Sequence, residues 1–167
     1  MGSGLRLAAV CAVALVLAAP AGAHPLDGGK QLSFAWPAAG EVTRGFGFDP
    51  ATGEEHAGLD IGSLRSLEVR AAAPGVVEQV GYAPGFDGYG LIVLVDVGFG
   101  FETLYAHLAR VDVRPGQTVA PDEPLGEAGS TGFSTGVHLH FELREDGAAT
   151  DATPLLPAGR PGFPEAG

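Results

Sequence analysis

Glycine and proline divide this chain into apolar runs too short for helices. The 167 residues include 27 Gly and 13 Pro, which fall between those runs and form no tracts, so they act as turn punctuation. After the first 23 residues no amphipathic pattern of useful helical length appears. The runs at 69–72, 76–80, 91–97, 101–108, 117–120 and 137–144 have strand character. An all-β fold follows, a single domain of antiparallel sheets. Runs 91–95 and 101–108 flank Gly98-Phe99-Gly100 and predict an antiparallel hairpin feeding the centre of a sheet. No repeat of fixed period is present, which excludes solenoids and propellers. Hydrophobic residues make up 46% and charged residues 17%, enough apolar content to bury a core.

The N-terminus carries Arg6, an apolar run from Leu7 to Ala19, Pro20, and the small residues Ala21-Gly22-Ala23. This reads as a signal peptide over residues 1–23. Its apolar part is shorter than the ~20 residues of a spanning helix, so the expected mature chain has no membrane span and is exported, to a periplasm or outside the cell. Residues 24–31 read as an N-terminal tail, 32–156 as the folded domain, and 157–167 as a Pro- and Gly-rich C-terminal tail. Cys11 is the sole cysteine. Val10 before it makes a poor context for a lipid acceptor, and with the leader removed neither disulfides nor thiolate ligands remain. Any metal must then be held by His and carboxylates. The formal charge is -11 and Lys30 is the only lysine, so nucleic acid is excluded as a partner for want of clustered cations.

Chemistry concentrates in three segments. In Val137-His138-Leu139-His140-Phe141-Glu142-Leu143 apolar and polar residues alternate strictly, as a strand with one buried face requires, so His138, His140 and Glu142 share a face. Two imidazoles at i and i+2 suit a metal site, or a ligand beside a catalytic base. A solvated polar face is the plainer alternative, and the spacing does not say which His would bind an ion. In His56-Ala57-Gly58-Leu59-Asp60-Ile61-Gly62 the glycines argue against a helix, and on an extended strand His56 and Asp60 lie on one face. One carboxylate with two imidazoles is a known ligand set for catalytic zinc that leaves a fourth position open. In Thr103-Leu104-Tyr105-Ala106-His107-Leu108 alternation places Leu104, Ala106 and Leu108 on one face, Tyr105 and His107 on the other. His107 alone reads as structural; it gains weight only beside the other two segments.

Together and in this order, these segments resemble the lysostaphin-like, or LytM-type, zinc endopeptidases that degrade peptidoglycan. The likeness extends over residues 41–156 and includes Gly45-Phe46-Gly47 and a turn Gly126-Glu127-Ala128-Gly129 followed by Ser130-Thr131-Gly132. The resemblance implies a barrel-sandwich-like, lysostaphin-type fold with long loops around a catalytic groove. It implies one Zn2+ per chain held by His56, Asp60 and His140, with His107 and His138 as catalytic residues that handle protons. The implied reaction is hydrolysis of peptidoglycan stem peptides or cross-bridges by a zinc-activated water, a stem-peptide cross-link being favoured over a glycine bridge. Because some relatives have lost metal ligands and activate other hydrolases, a non-catalytic wall-binding or activator module is the alternative. Glu142 could orient a ligand as an acceptor, although an exposed surface carboxylate is the plainer expectation. Residues 63–71 depart from the short turn expected there, and 150–156 fit the family's ending only loosely. The hairpin-like segment 113–120 has the outline of biotinyl and lipoyl carriers, but with Lys30 as the sole lysine no acceptor stands at its turn.

Overall fold

The structure is a computed structural model that describes residues 23–25, 31–159 and 161. The expected signal peptide, 1–23, lies outside the described residues apart from Ala23, as does most of the expected closing tail. Fourteen strands run in chain order. They are β1 (Ala23–Pro25), β2 (Gln31–Ser33), β3 (Glu41–Arg44), β4 (Gly47–Asp49), β5 (Glu54–His56), β6 (Leu59–Gly62) and β7 (Glu68–Arg70). After these come β8 (Gly75–Gly81), β9 (Leu91–Gly98), β10 (Phe101–Val111), β11 (Thr118–Val119), β12 (Pro124–Ala128), β13 (Leu139–Glu145) and β14 (Ala148–Thr150). The only helical element among the described residues is a 3-10 turn, Thr153–Leu155. No helix there is long and apolar enough to cross a membrane. The all-β, antiparallel architecture expected from the Gly/Pro punctuation is present.

Ten strands form the main sheet, in the order β11-β8-β9-β10-β13-β6-β3, with β12, β7 and β14 branching from it. β1 and β2 form a separate ribbon across the segment expected as a tail, and β4 and β5 form a hairpin. The predicted hairpin of β9 and β10 sits at the centre, both strands rich in the β-branched and aromatic residues that fit a pleated surface. The core on one face gathers Trp36, Leu59, Ile61, Val93, Val95, Tyr105, Leu108, Leu139, Phe141 and Leu143. On the other face Ile92, Leu94, Leu104 and Ala106 make a smaller cluster, covered by Ala83, Phe86 and Tyr89 from the loop 82–90. Burying side chains of this size contributes about 1.5–3 kcal/mol each, so that loop is held onto the sheet and forms a wall.

β10 governs the shape of the site. Along one edge, Phe101 to Ala106 pair with β13 and Leu108 to Val111 pair with β12. The change of partner falls at His107, where the register with β9 also shifts and the backbone is left-handed, φ 59°. A bulge of this kind re-aims a side chain. It overturns the simple alternation expected over 103–108: Tyr105 and Leu108 face the main core, whereas Leu104 and Ala106 face the smaller cluster. His107 therefore does not share a face with Tyr105. Tyr105 is fully buried, donating from its hydroxyl to Thr103 Oγ1 and accepting from the Ala72 amide.

The stretch Gly126 to Gly129, expected as a turn, belongs mostly to β12. A Cβ at Gly126 would strike the Arg110 carbonyl, so this glycine permits close main-chain pairing and marks no reversal.

Candidate metal centre

Three strands deliver the centre. β13 and β6 pair antiparallel with His140 opposite Asp60, so two of the predicted ligands are cross-strand neighbours. His56 ends β5, opposite Gly47 of β4. The β4–β5 hairpin is braced by Arg44, which reaches Asp49, Glu54 and Thr52. The close approach of β6 to β13 depends on Gly58, where a Cβ would collide with the Phe141 carbonyl.

The structure brings together every candidate residue of the three segments. Asp60 Oδ1 stands 2.9 Å from His140 Nδ1 and 3.2 Å from His56 Nε2, and those two nitrogens are 3.1 Å apart. Metal bonds of about 2.0–2.2 Å in a tetrahedral site separate ligand atoms by roughly 3.3–3.6 Å, so the triangle has nearly the size such an ion requires. Its chemistry fits as well. His56 Nδ1 faces the Gly45 carbonyl at 2.8 Å, which can only accept, and His140 Nε2 faces Glu142 Oε1 at 3.1 Å. Each ring thus keeps an N–H on its outward side, so that in the neutral form it turns a bare nitrogen toward the Asp60 carboxylate. Three electron-pair donors of the set N2O converge, as a divalent cation requires.

The two other histidines follow the same rule. His107 Nδ1 donates to the Thr131 carbonyl at 2.7 Å, and His138 Nδ1 to the Gly136 carbonyl at 2.9 Å. Their rings lie 4.9 Å apart and their Nε2 atoms remain bare. His138 Nε2 is 3.6 Å from Asp60 Oδ1. All four histidines line one cavity of about 320 Å³, with Arg44, Asp60, Asp87, Tyr89 and Phe133 among its other walls.

The ionisation states follow from these contacts. Burial opposes the charge on Asp60, but the bonds from His140 and His56 outweigh it and hold the carboxyl well below its usual range. Burial also disfavours a proton on His140, yet the bonds to Asp60 and Glu142 prevail and raise its pKa. His107 has no such carboxylate in contact, and burial lowers its pKa.

Glu142 corrects the expectation of an exposed carboxylate: it is fully buried. Besides His140 Nε2 it accepts the Tyr89 hydroxyl at 2.6 Å, on the same Oε1, and the Arg144 guanidinium. Burial raises its pKa, but these partners outweigh that and keep it ionised. Tyr89 was not singled out by the sequence. Its one signal is an aromatic residue between Gly88 and Gly90, both at positive φ, just before β9.

Comparison with known proteins identifies the family. The model for "Peptidase family M23" matches residues 54–152. A "DD-carboxypeptidase/endopeptidase Mpg" of Neisseria meningitidis is 42% identical over 92 residues, covering 55% of this chain and 20% of that protein. The "Murein hydrolase activator EnvC" of Escherichia coli is 34% identical over 122 residues, covering 72% of this chain and 28% of that protein. Among solved structures, a zinc-containing peptidase from Vibrio cholerae superposes with a TM-score of 0.64 at 26% identity, covering 78% of this chain and 45% of that one. The chain spans about a quarter of the length of these curated relatives. By the match that covers all three histidine-bearing segments, it belongs to peptidase family M23.

Proposed function

We propose that this chain is a zinc-dependent endopeptidase that hydrolyses peptide cross-links of bacterial peptidoglycan in the periplasm or outside the cell. The observation that carries the reading is the triangle of His56 Nε2, Asp60 Oδ1 and His140 Nδ1, closed to 2.9–3.2 Å, with the far nitrogen of each ring facing an outward acceptor. The relative named a DD-carboxypeptidase/endopeptidase supports the substrate class. The relative named a murein hydrolase activator supports the alternative of a non-catalytic module, and the complete donor set counts against that alternative.

His56, Asp60 and His140 would hold the ion. When bound in such a site, zinc polarises a carbonyl and brings the pKa of a coordinated water to about 7. The remaining work falls to the chain's own side chains. The bare Nε2 atoms of His107 and His138 face the cavity together, so they accept the proton of the attacking water and return it to the leaving amine. Burial keeps His107 neutral and ready to accept. His138 Nε2 stands 3.6 Å from Asp60 Oδ1, beside the reacting centre. No covalent intermediate is required.

The test is zinc stoichiometry together with release of soluble fragments from purified peptidoglycan. The zinc-loaded protein should release fragments, and His140→Ala should lose both zinc and hydrolysis. His107→Ala should keep zinc and lose rate. A fully zinc-loaded protein that releases nothing would favour the activator reading, and equal zinc loss in both variants would overturn the division of roles.

A further inference from the structure

One residue of the loop 82–90 touches both halves of the site. Tyr89 lines the cavity, and its hydroxyl donates to Glu142 Oε1 at 2.6 Å, the same oxygen that receives His140 Nε2 at 3.1 Å. Its ring stands edge-on to the His140 ring, centroids 5.4 Å apart. Its main-chain carbonyl accepts the amide of His107 at 2.9 Å, at the bulge where β10 changes partner. Glu142 is fully buried, so its orientation is set by its donors and not by water. Two of those donors, Tyr89 and Arg144, are free of the ion-binding triangle and decide where Oε1 stands.

We propose that Tyr89 is the positioning residue of this centre: through Glu142 it fixes the His140 ring with Nδ1 bare toward Asp60, while its carbonyl holds the bulge that aims His107. The inference rests on the proposed metal site but not on hydrolysis. An acceptor on the far nitrogen of a metal-binding imidazole fixes ring and tautomer, and losing such a partner commonly costs 10–100-fold in metal affinity. Tyr89→Phe keeps the ring packing and the main-chain bond and removes only the hydroxyl.

The experiment uses the full chain and measures zinc affinity by competition with a chromophoric chelator, for the wild type, Tyr89→Phe, Glu142→Gln and the double variant. Histidine ring-nitrogen NMR of the metal-free proteins, at a pH where His140 is neutral, reports its tautomer, and circular dichroism reports the fold. The expected result is a roughly 10–100-fold weaker zinc affinity in Tyr89→Phe, with an unchanged circular dichroism spectrum. A His140 signal no longer confined to the Nε2–H form is expected alongside it. The double variant should lose less than the product of the single losses, because both act through one oxygen. Unaltered affinity in Tyr89→Phe, multiplicative losses, or an unaltered His140 tautomer would overturn the proposal. Failure of the wild type to bind zinc at all would instead remove the metal site on which it rests.

Discussion

Each of the four site histidines commits one ring nitrogen to an outward acceptor, and that commitment decides which nitrogen is left for chemistry. For His140 the consequence is a pH dependence whose sign is set. Its pKa is raised above 6.5, because the bonds to Asp60 and Glu142 outweigh burial. In the metal-free protein this proton contributes stability below pH 6.5, lost as the pH rises through the higher folded value. Ion binding runs the other way, since the ligand must be unprotonated: zinc affinity should weaken as the pH falls through that raised value, a trend that binding isotherms at several pH values would show. For His107, a neutral acceptor held by burial, replacement with Ala should lower the rate by about 10²–10⁴-fold at unchanged zinc content, as metal analysis beside fragment release would reveal. Alternation made the shared face of His138, His140 and Glu142 legible, but the choice of His56, Asp60 and His140 came only from the family resemblance. The single extended strand expected to carry His56 and Asp60 is instead two, β5 ending at His56 and β6 beginning at Leu59. The burial of Glu142 was not legible, because a carboxylate on a polar strand face looks the same whether water or Arg144 and Tyr89 meet it.

At the level of elements, the centre is a problem of register. β13 and β6 must stay aligned for His140 to stand opposite Asp60, and they can approach only because position 58 carries no side chain. Gly58→Ala places a Cβ against the Phe141 carbonyl. Crowding of this kind costs about 1–3 kcal/mol, so the variant should unfold at lower denaturant concentration and bind zinc less tightly. An unchanged unfolding midpoint would contradict the packing described. The central strands were legible from their β-branched runs. β12 was not: Pro124-Leu125-Gly126-Glu127-Ala128 has the composition of a turn and becomes a strand only because β7 and the bulged end of β10 supply partners on both sides. The bulge at His107 escaped a period-two reading for the same reason, since a change of pairing partner is a tertiary event.

The whole molecule has a single cysteine, so no disulfide can form within it and a reductant should leave its thermal unfolding unchanged. An ion held by His56, Asp60 and His140 would be a cross-link, joining β5 and β13 through β6. Zinc at 100-fold over its Kd stabilises the folded state by about 2.7 kcal/mol, which for a domain of this size is a shift on the order of 10 °C. Calorimetry with zinc and then with excess chelator should show that difference, and no difference would mean that the three ligands do not share an ion.

The strand pairings beneath the imidazoles are closed by the main chain. β10 runs unbroken past the notch, lending its first half to one neighbour and its last to another. Replacing His107 or His138, neither of which belongs to the ion-binding triangle, should therefore leave the outline of the sheet intact.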